Sequence, residues 1–174
     1  MDGKKFYEVF RNEFNPRNNK DVEAVYDKVQ VSATEWTNLV NKVLLEIMRK
    51  SGFDPSTHTQ EEPLRRGKSR GLIDHKWQSE DKTIFLEHEN DITHIDSEIK
   101  NLLNSDGELR ILVTYSSNSS ERKKLRENLH RKLKENKGSR KFEFLLILGK
   151  DYDMKSYDNW EAFRYILTFE EFPA

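Results

Sequence analysis

Apolar and polar residues follow a helical pattern in one segment near the start of the chain. Seven apolar side chains recur there at the spacing of one buried helix face: Trp36, Leu39, Val40, Val43, Leu44, Ile47 and Met48. Ser32 or Thr34 can cap this helix, Glu35 falls in its first turn, and Gly52 suits its end. The pattern therefore predicts an amphipathic helix over residues 32–52.

The pattern changes to short apolar runs, typical of strands, after residue 70. Residues 71–77 and 83–89 predict two strands that a polar turn over 78–82 joins as a hairpin. The later segments predict, in order, a helix over 93–104, a buried strand over 110–115, a basic helix over 119–136, a buried strand over 142–148 and a shorter edge strand over 164–169. This order indicates a mixed β-sheet with helices on both sides.

Two segments carry weaker patterns. Phe6, Val9, Phe10 and Phe14 lie at helical spacing and predict a short packing helix. Residues 54–70 contain two prolines and a basic cluster, which predict a long surface loop that leads into the hairpin. The length of 174 residues favours one domain over residues 1–174.

The composition is that of a folded protein with a heavily charged surface. Hydrophobic residues make up 34% of the chain and charged residues 35%, and the aromatic residues supply a compact core. The absence of cysteine excludes disulfides, thiolate metal sites and a cysteine nucleophile, and it fits a reducing compartment. No secretory signal and no apolar run of about 20 residues is found, so we expect a soluble cytoplasmic protein.

Charge is distributed unevenly, although the formal net charge is only −1. Residues 74–108 contain ten acids and three bases, whereas residues 121–141 contain ten bases and three acids. An acidic segment followed by a basic one suits a protein that holds metal ions beside a polyanion. Two solvated faces of opposite charge would give the same pattern.

Three carboxylates fall on the predicted hairpin. Glu87 and Glu89 are two positions apart on one strand, so their side chains leave the same face, about 7 Å apart. Asp74 on the partner strand lies across from them if the hairpin forms. Carboxylate oxygens gathered in this way suit Mg²⁺ or Mn²⁺, whereas a solvent-facing rim of acids is the alternative.

This region resembles the PD-(D/E)xK nuclease superfamily. The resembling residues are Gly71-Leu72-Ile73-Asp74 and Ile84-Phe85-Leu86-Glu87-His88-Glu89, with the helix from Glu35 before them and the helix and strand of residues 93–115 after them. The resemblance covers about residues 32–148, which leaves an N-terminal helical and a C-terminal strand extension. It implies an α/β fold of the restriction-endonuclease-like kind, a three-layer sandwich with a central mixed β-sheet flanked by helices.

The resemblance also implies roles for single residues. Asp74 matches the first acid of the motif and Glu87 the second, and both would bind the metal together with the backbone carbonyl of His88. Glu89 stands where the family usually has lysine, and Glu89, or a water molecule held by it, would act as the general base in metal-assisted phosphodiester hydrolysis. Glu35 matches an acid that helps with metal or water in some members, although a first-turn Glu favoured by the helix dipole explains it equally well.

A second assignment of the motif is open. Asp74-His75-Lys76 is itself a D-x-K triplet, for which Asp54, Glu61 or Glu62 could supply the first acid. We prefer the assignment to Glu87 and Glu89, because residues 54–70 look like a loop and the motif needs its first acid on the sheet.

Basic residues near these acids indicate a nucleic-acid partner, with DNA favoured over RNA. The candidates that would contact phosphate are Arg65, Arg66, Lys68, Arg70, Lys76, Lys123 and Lys124. An ordinary solvated helix is the alternative for the last two. We therefore expect an Mg²⁺-dependent nuclease, in which a homodimer or larger assembly would be compatible with the resemblance. The alternative is a nuclease-like module that has lost catalysis and binds nucleic acid or protein.

Overall fold

The computed structural model describes residues 1–28, 31–63, 72–136, 141–150 and 160–167, with the side chains of 62 and 63 left out. The helices of these ranges are α1 (Gly3–Glu13), α2 (Lys20–Tyr26), α3 (Ala33–Lys50), α4 (Ile95–Asn104) and α5 (Ser119–Glu135), with a 3₁₀ turn at Pro55–Thr57. The strands are β1 (Thr59–Pro63), β2 (Leu72–Gln78), β3 (Thr83–Glu89), β4 (Leu109–Tyr115), β5 (Phe142–Gly149) and β6 (Trp160–Leu167).

The six strands form one mixed sheet in which the spatial order is the chain order, β1 to β6. β1, β2 and β3 form an antiparallel meander, and β6 is antiparallel to β5. β4 is parallel to both β3 and β5, and α4 and α5 make the two crossovers that parallel neighbours require.

Two clusters of buried side chains cover the two faces of the sheet and make the structure a three-layer α/β fold. Residues alternate between the clusters along the central strands: Ile111 and Val113 of β4 belong to the first cluster and Leu112 to the second. The first cluster receives the apolar faces of α1 and α3, and the second receives those of α4 and α5. This alternation explains why β4 and β5 are buried along their whole length.

The first cluster joins segments that are distant along the chain. The Gly3 N–H donates to Glu143 Oε1 of β5 over 2.8 Å, and the Arg164 guanidinium of β6 also bonds that carboxylate. Phe10 of α1 packs edge-on against Trp160, with ring centroids 4.8 Å apart. These contacts fix α1 against β5 and β6, the strands at the end of the sheet away from the β2–β3 hairpin.

Most predicted elements agree with the structure to within a few residues, but one prediction was wrong. Part of the expected loop over 54–70 is ordered secondary structure, because residues 55–57 form a 3₁₀ turn and residues 59–63 form the edge strand β1. The prolines and polar residues of this segment hide the strand, as an edge strand needs few apolar residues. α2 was not predicted, and β6 is longer and begins earlier than the expected strand over 164–169, whose last two residues lie outside the described ranges.

α3 begins with a capping box. The Glu35 N–H donates to Ser32 Oγ over 3.2 Å, and the Ser32 N–H donates to Glu35 Oε2 over 3.0 Å.

Among the described residues, no helix has the length and apolar character that crossing a bilayer requires.

Candidate metal site

Asp74 and Glu87 lie opposite each other just beyond the last paired residues of β2 and β3. The paired residues run from Gln78 and Thr83 to His75 and Leu86. One position further, the two acids bond to backbone: the Asp74 N–H donates to Glu87 Oε2 over 3.0 Å, and the His88 N–H donates to Asp74 Oδ2 over 2.8 Å. The Asp74 N–H thus holds the Glu87 carboxylate, and the N–H of His88, the residue after Glu87, holds the Asp74 carboxylate.

The carboxylate pair is withdrawn from water. Glu87 is only 1% exposed and Asp74 is partly buried. Burial raises the pKa of Glu87 far above its usual value, and the negative charges of Asp74 and Glu98 raise it further. Burial is also the main reason why the pKa of Asp74 is raised, and the charges of Glu98, Glu89 and Glu61 add to it. Within the described ranges, no lysine or arginine forms an ion pair with either acid.

Helix α4 adds two residues to the site that the sequence analysis did not find. Asn101 Nδ2 lies 3.1 Å from the Leu72 carbonyl, 3.3 Å from Glu98 Oε2 and 3.4 Å from Glu87 Oε1. This amide therefore ties the helix to β2 and stands between two carboxylates. The available signal was the position of Glu98 and Asn101 beside the apolar face of the predicted helix, three residues apart on one side.

Strand β1 brings another acid next to Asp74. Gln60 pairs with His75 and Glu62 with Ile73, so Glu61 lies opposite Asp74. The reason given for rejecting the Asp74-His75-Lys76 assignment, that residues 54–70 are a loop, is therefore wrong. Of the acids that this assignment could use, Asp54 instead caps the 3₁₀ turn through the Ser56 N–H, whereas Glu61 lies next to Asp74. The preferred assignment has the stronger support from contacts, because hydrogen bonds link Asp74 with Glu87 and His88.

Glu89 is not joined to the pair. Its Oε1 accepts a hydrogen bond from the Asp91 N–H over 2.6 Å, and the residue, the last of β3, is partly exposed. Its charge still acts on Asp74. Of the three acids expected to converge, the structure thus joins Asp74 and Glu87 through a backbone hydrogen bond and leaves Glu89 outside that link.

Glu35 lies elsewhere. Lys28 Nζ is 2.6 Å from Glu35 Oε1, and this contact, together with the bonds from Ser32, lowers the pKa of Glu35 to about 2. The structure therefore gives Glu35 the capping role that was the alternative to a metal role, and it does not bring Glu35 to Asp74 and Glu87.

The expected phosphate contacts are spread over several elements. Arg65, Arg66, Lys68 and Arg70 lie outside the described residues. Lys76 extends toward the Phe85 ring, 5.9 Å from its centroid, on the hairpin that carries the acids. Lys123 and Lys124 are exposed on α5, where Lys123 Nζ is 3.8 Å from Glu127 Oε1.

The side chain of His88 points away from the acids. Its ring contacts Tyr115, which belongs to the first cluster, whereas Phe85, two positions before Glu87, belongs to the second. Burial lowers the pKa of His88 to about 3, so the imidazole is neutral at pH 7. Only the backbone of His88 is therefore turned to the candidate site.

The donor set suits a hard divalent cation in part. Among the described residues no three side chains of His, Cys, Asp or Glu are grouped so that they could hold a metal ion. Mg²⁺, however, is commonly bound by one or two carboxylates and completes its shell with water and substrate phosphate. Asp74, Glu87 and the His88 carbonyl fit that pattern, and no described residue bonds the second oxygen of Asp74.

Comparison with models of known protein families gives no match, and comparison with curated proteins finds none of significant similarity.

Proposed function

We propose that this protein is a divalent-metal-dependent nuclease that hydrolyses phosphodiester bonds, with DNA as the favoured substrate. One observation carries the proposal: the buried Glu87 and the partly buried Asp74 form a carboxylate pair without a lysine or arginine partner among the described residues. Such a pair is costly to ionise unless a cation or a proton compensates it. Mg²⁺ or Mn²⁺ is the cation that oxygen donors of this kind prefer.

The order of elements supports the resemblance to the PD-(D/E)xK superfamily and a restriction-endonuclease-like arrangement. α3 precedes the antiparallel meander, the acids lie on its second and third strands, and α4 leads into the buried strand β4. The site residues therefore come from a rigid sheet, with one helix closing it from the side.

The residues of the chain would divide the work as follows. A bound metal ion would polarise the phosphoryl group and lower the pKa of a water molecule. Asp74 and Glu87 would bind the ion, and their bonds to backbone N–H groups keep both carboxylates in position. Glu89, partly exposed beside the pair, would accept the proton from water after its carboxylate leaves the Asp91 N–H.

Cleavage assays with isosteric variants test the proposal. Purified protein is incubated with single- and double-stranded DNA and RNA in Mg²⁺ or Mn²⁺. Asp74→Asn and Glu87→Gln should each abolish metal-dependent cleavage, because they remove the charges that hold the cation. Asp81→Asn is the matched control, since Asp81 is exposed in the turn of the same hairpin. Equal cleavage by the wild type and the site variants would refute the assignment.

The position of Glu89 supports a second candidate function, a nuclease-like module that has lost catalysis. Its carboxylate bonds the Asp91 N–H, and no described residue supplies the lysine that the family usually has there. Calorimetry with Mn²⁺ separates the two candidates: an inactive module should show no Mn²⁺ binding that depends on Asp74 and Glu87, whereas the nuclease should show it even where its substrate has not been identified.

A further inference from the structure

His88 connects the acids to the aromatic cluster on the opposite face of the sheet. Its N–H donates to Asp74 Oδ2 over 2.8 Å, and its ring atom Nε2 shares a hydrogen bond of 2.8 Å with the Tyr115 hydroxyl. The two rings are nearly perpendicular at 88°, with centroids 5.5 Å apart. One residue of β3 is thus bonded on both sides of the sheet.

Tyr115 has little freedom to move. Its ring meets Trp36 of α3 at 74° and Trp160 of β6 at 60°, with centroid distances of 5.8 and 5.4 Å. Gly149 lies beside Tyr115 on the neighbouring strand, and a Cβ at Gly149 would stand 2.6 Å from Tyr115 Cδ1. The absence of a side chain at Gly149 therefore leaves the space that the tyrosine ring fills.

A small displacement of His88 would change the position of the Asp74 carboxylate. The N–H that holds Asp74 belongs to the same residue as the bonded ring, and the His88 carbonyl is the proposed third ligand. Hydrogen bonds from such supporting residues orient metal ligands, and their loss commonly weakens metal binding by about 10–100-fold.

We propose that Tyr115 is a positioning residue of the metal site, which holds the β3 backbone at His88 so that the His88 N–H fixes Asp74 and the His88 carbonyl faces the ion. This inference rests on the proposed metal function. It assigns a task in that function to a residue of the opposite face, which does not touch the metal or the substrate.

Tyr115→Phe removes the hydroxyl and keeps the ring, and it is compared first without metal. Amide hydrogen exchange at His88, followed by NMR, should become several-fold faster, because the backbone is no longer held from behind. Tyr26→Phe is the matched control: it removes a buried hydroxyl beside the same cluster that has no hydrogen-bond partner among the described residues, and it keeps the ring that packs on Trp36. This control should leave the exchange rate unchanged.

Mn²⁺ binding, measured by calorimetry, gives the second readout. Tyr115→Phe should raise the dissociation constant on the order of tenfold, and Tyr26→Phe should leave it unchanged. Two changes at His88 repeat the test from the other partner. His88→Leu should weaken binding as Tyr115→Phe does, whereas His88→Gln, whose amide reaches the place of the ring nitrogen, should restore wild-type affinity.

The outcomes separate the two proposals. Unchanged exchange at His88 and unchanged Mn²⁺ affinity in Tyr115→Phe would overturn the positioning role, and so would faster exchange with unchanged affinity. A wild-type protein that binds no Mn²⁺ would refute the metal function, whereas the exchange rates would still decide whether Tyr115 holds His88. If Tyr115→Phe does not fold, the His88→Leu and His88→Gln pair decides alone.

Discussion

The two sides of β3 are built from different chemistry, although their residues alternate along one strand. On one side, Leu86 belongs to the first cluster, and the neutral ring of His88 packs on Tyr115 and shares a hydrogen bond with its hydroxyl. On the other side, Glu87 is as deeply buried as its apolar neighbours but carries a carboxyl group beside a second one. Leu86 and Glu87 are therefore buried to nearly the same extent, whereas the free-energy cost of burying a carboxyl group is much larger than that of burying an apolar side chain.

Because of this difference, we expect the aromatic side of β3 to contribute to folding stability and the acid side to contribute to metal binding. Buried apolar and hydrogen-bonded neutral groups favour folding without help, whereas a buried carboxylate pair favours it only when a proton or a cation is present. We therefore expect changes on the aromatic side to act on folding under all conditions. Changes on the acid side should act on folding in a way that depends on pH and metal.

The largest effect should come from the aromatic side. Phe10→Ala should lower the free energy of unfolding by about 3–5 kcal/mol, because it opens a cavity between Phe14 and Trp160. Urea denaturation measures this loss. When Phe10→Ala is combined with Asp74→Asn, which removes the proposed metal ligand, the loss should be the same with and without Mn²⁺. A loss below about 1 kcal/mol would mean that the cluster repacks around the cavity.

Metal should stabilise the wild type through the acid side. At a free Mn²⁺ concentration 100 times the dissociation constant, the free energy of unfolding should rise by about 2.7 kcal/mol, because the folded state alone presents the paired carboxylates. Thermal denaturation with increasing Mn²⁺ reports this rise. Glu87→Gln should show no rise, and a comparable one in that variant would place the binding elsewhere.

The pH dependence should have the sign of a raised carboxyl pKa. In metal-free protein the folded state retains a proton on the pair above pH 4.5, whereas the unfolded chain loses it. Stability from this group is therefore present at low pH and falls as the pH rises, by up to about 1.4 kcal/mol per pH unit while one proton separates the two states. The unfolding free energy of the wild type minus that of Glu87→Gln should therefore decrease from pH 5 to pH 8. An increase of this quantity with pH would contradict the raised pKa of Glu87.

The smallest effect should come from the cap of α3, which tests whether Glu35 belongs to either side. Ser32→Ala should lower the free energy of unfolding by about 1 kcal/mol, since it breaks the capping box. Glu35→Ala should destabilise in the same direction and leave Mn²⁺ affinity unchanged. A weaker Mn²⁺ affinity in Glu35→Ala would restore the metal role that its contacts with Lys28 and Ser32 speak against.

Sequence reasoning worked where one periodicity dominated. The face of α3 from Trp36 to Met48 and the apolar runs of β4 and β5 were readable, because burial on one or both faces leaves a repeating pattern. The contact of Asp74 with Glu87 was also predictable, as hairpin register follows from the turn between the strands.

Other parts of the site depend on tertiary contacts that leave no local pattern. Glu98 and Asn101 reach the acids because α4 crosses back over β2, and Glu61 reaches Asp74 because β1 pairs at the edge. The Glu89 carboxylate accepts its hydrogen bond from the Asp91 N–H, and residue spacing does not determine which donor it bonds. These residues could be found only once the packing of the elements was known.

The bond between Gly3 and Glu143 makes the closing of the first cluster a late event in synthesis. The two residues are 140 positions apart, and Phe10 further needs Trp160. α1 leaves the ribosome early with its phenylalanines exposed, and it must wait until β5 and β6 have emerged. The hairpin with Asp74 and Glu87 needs only a short turn to form, so the nascent chain can pair these strands long before the aromatic layer covers their other face.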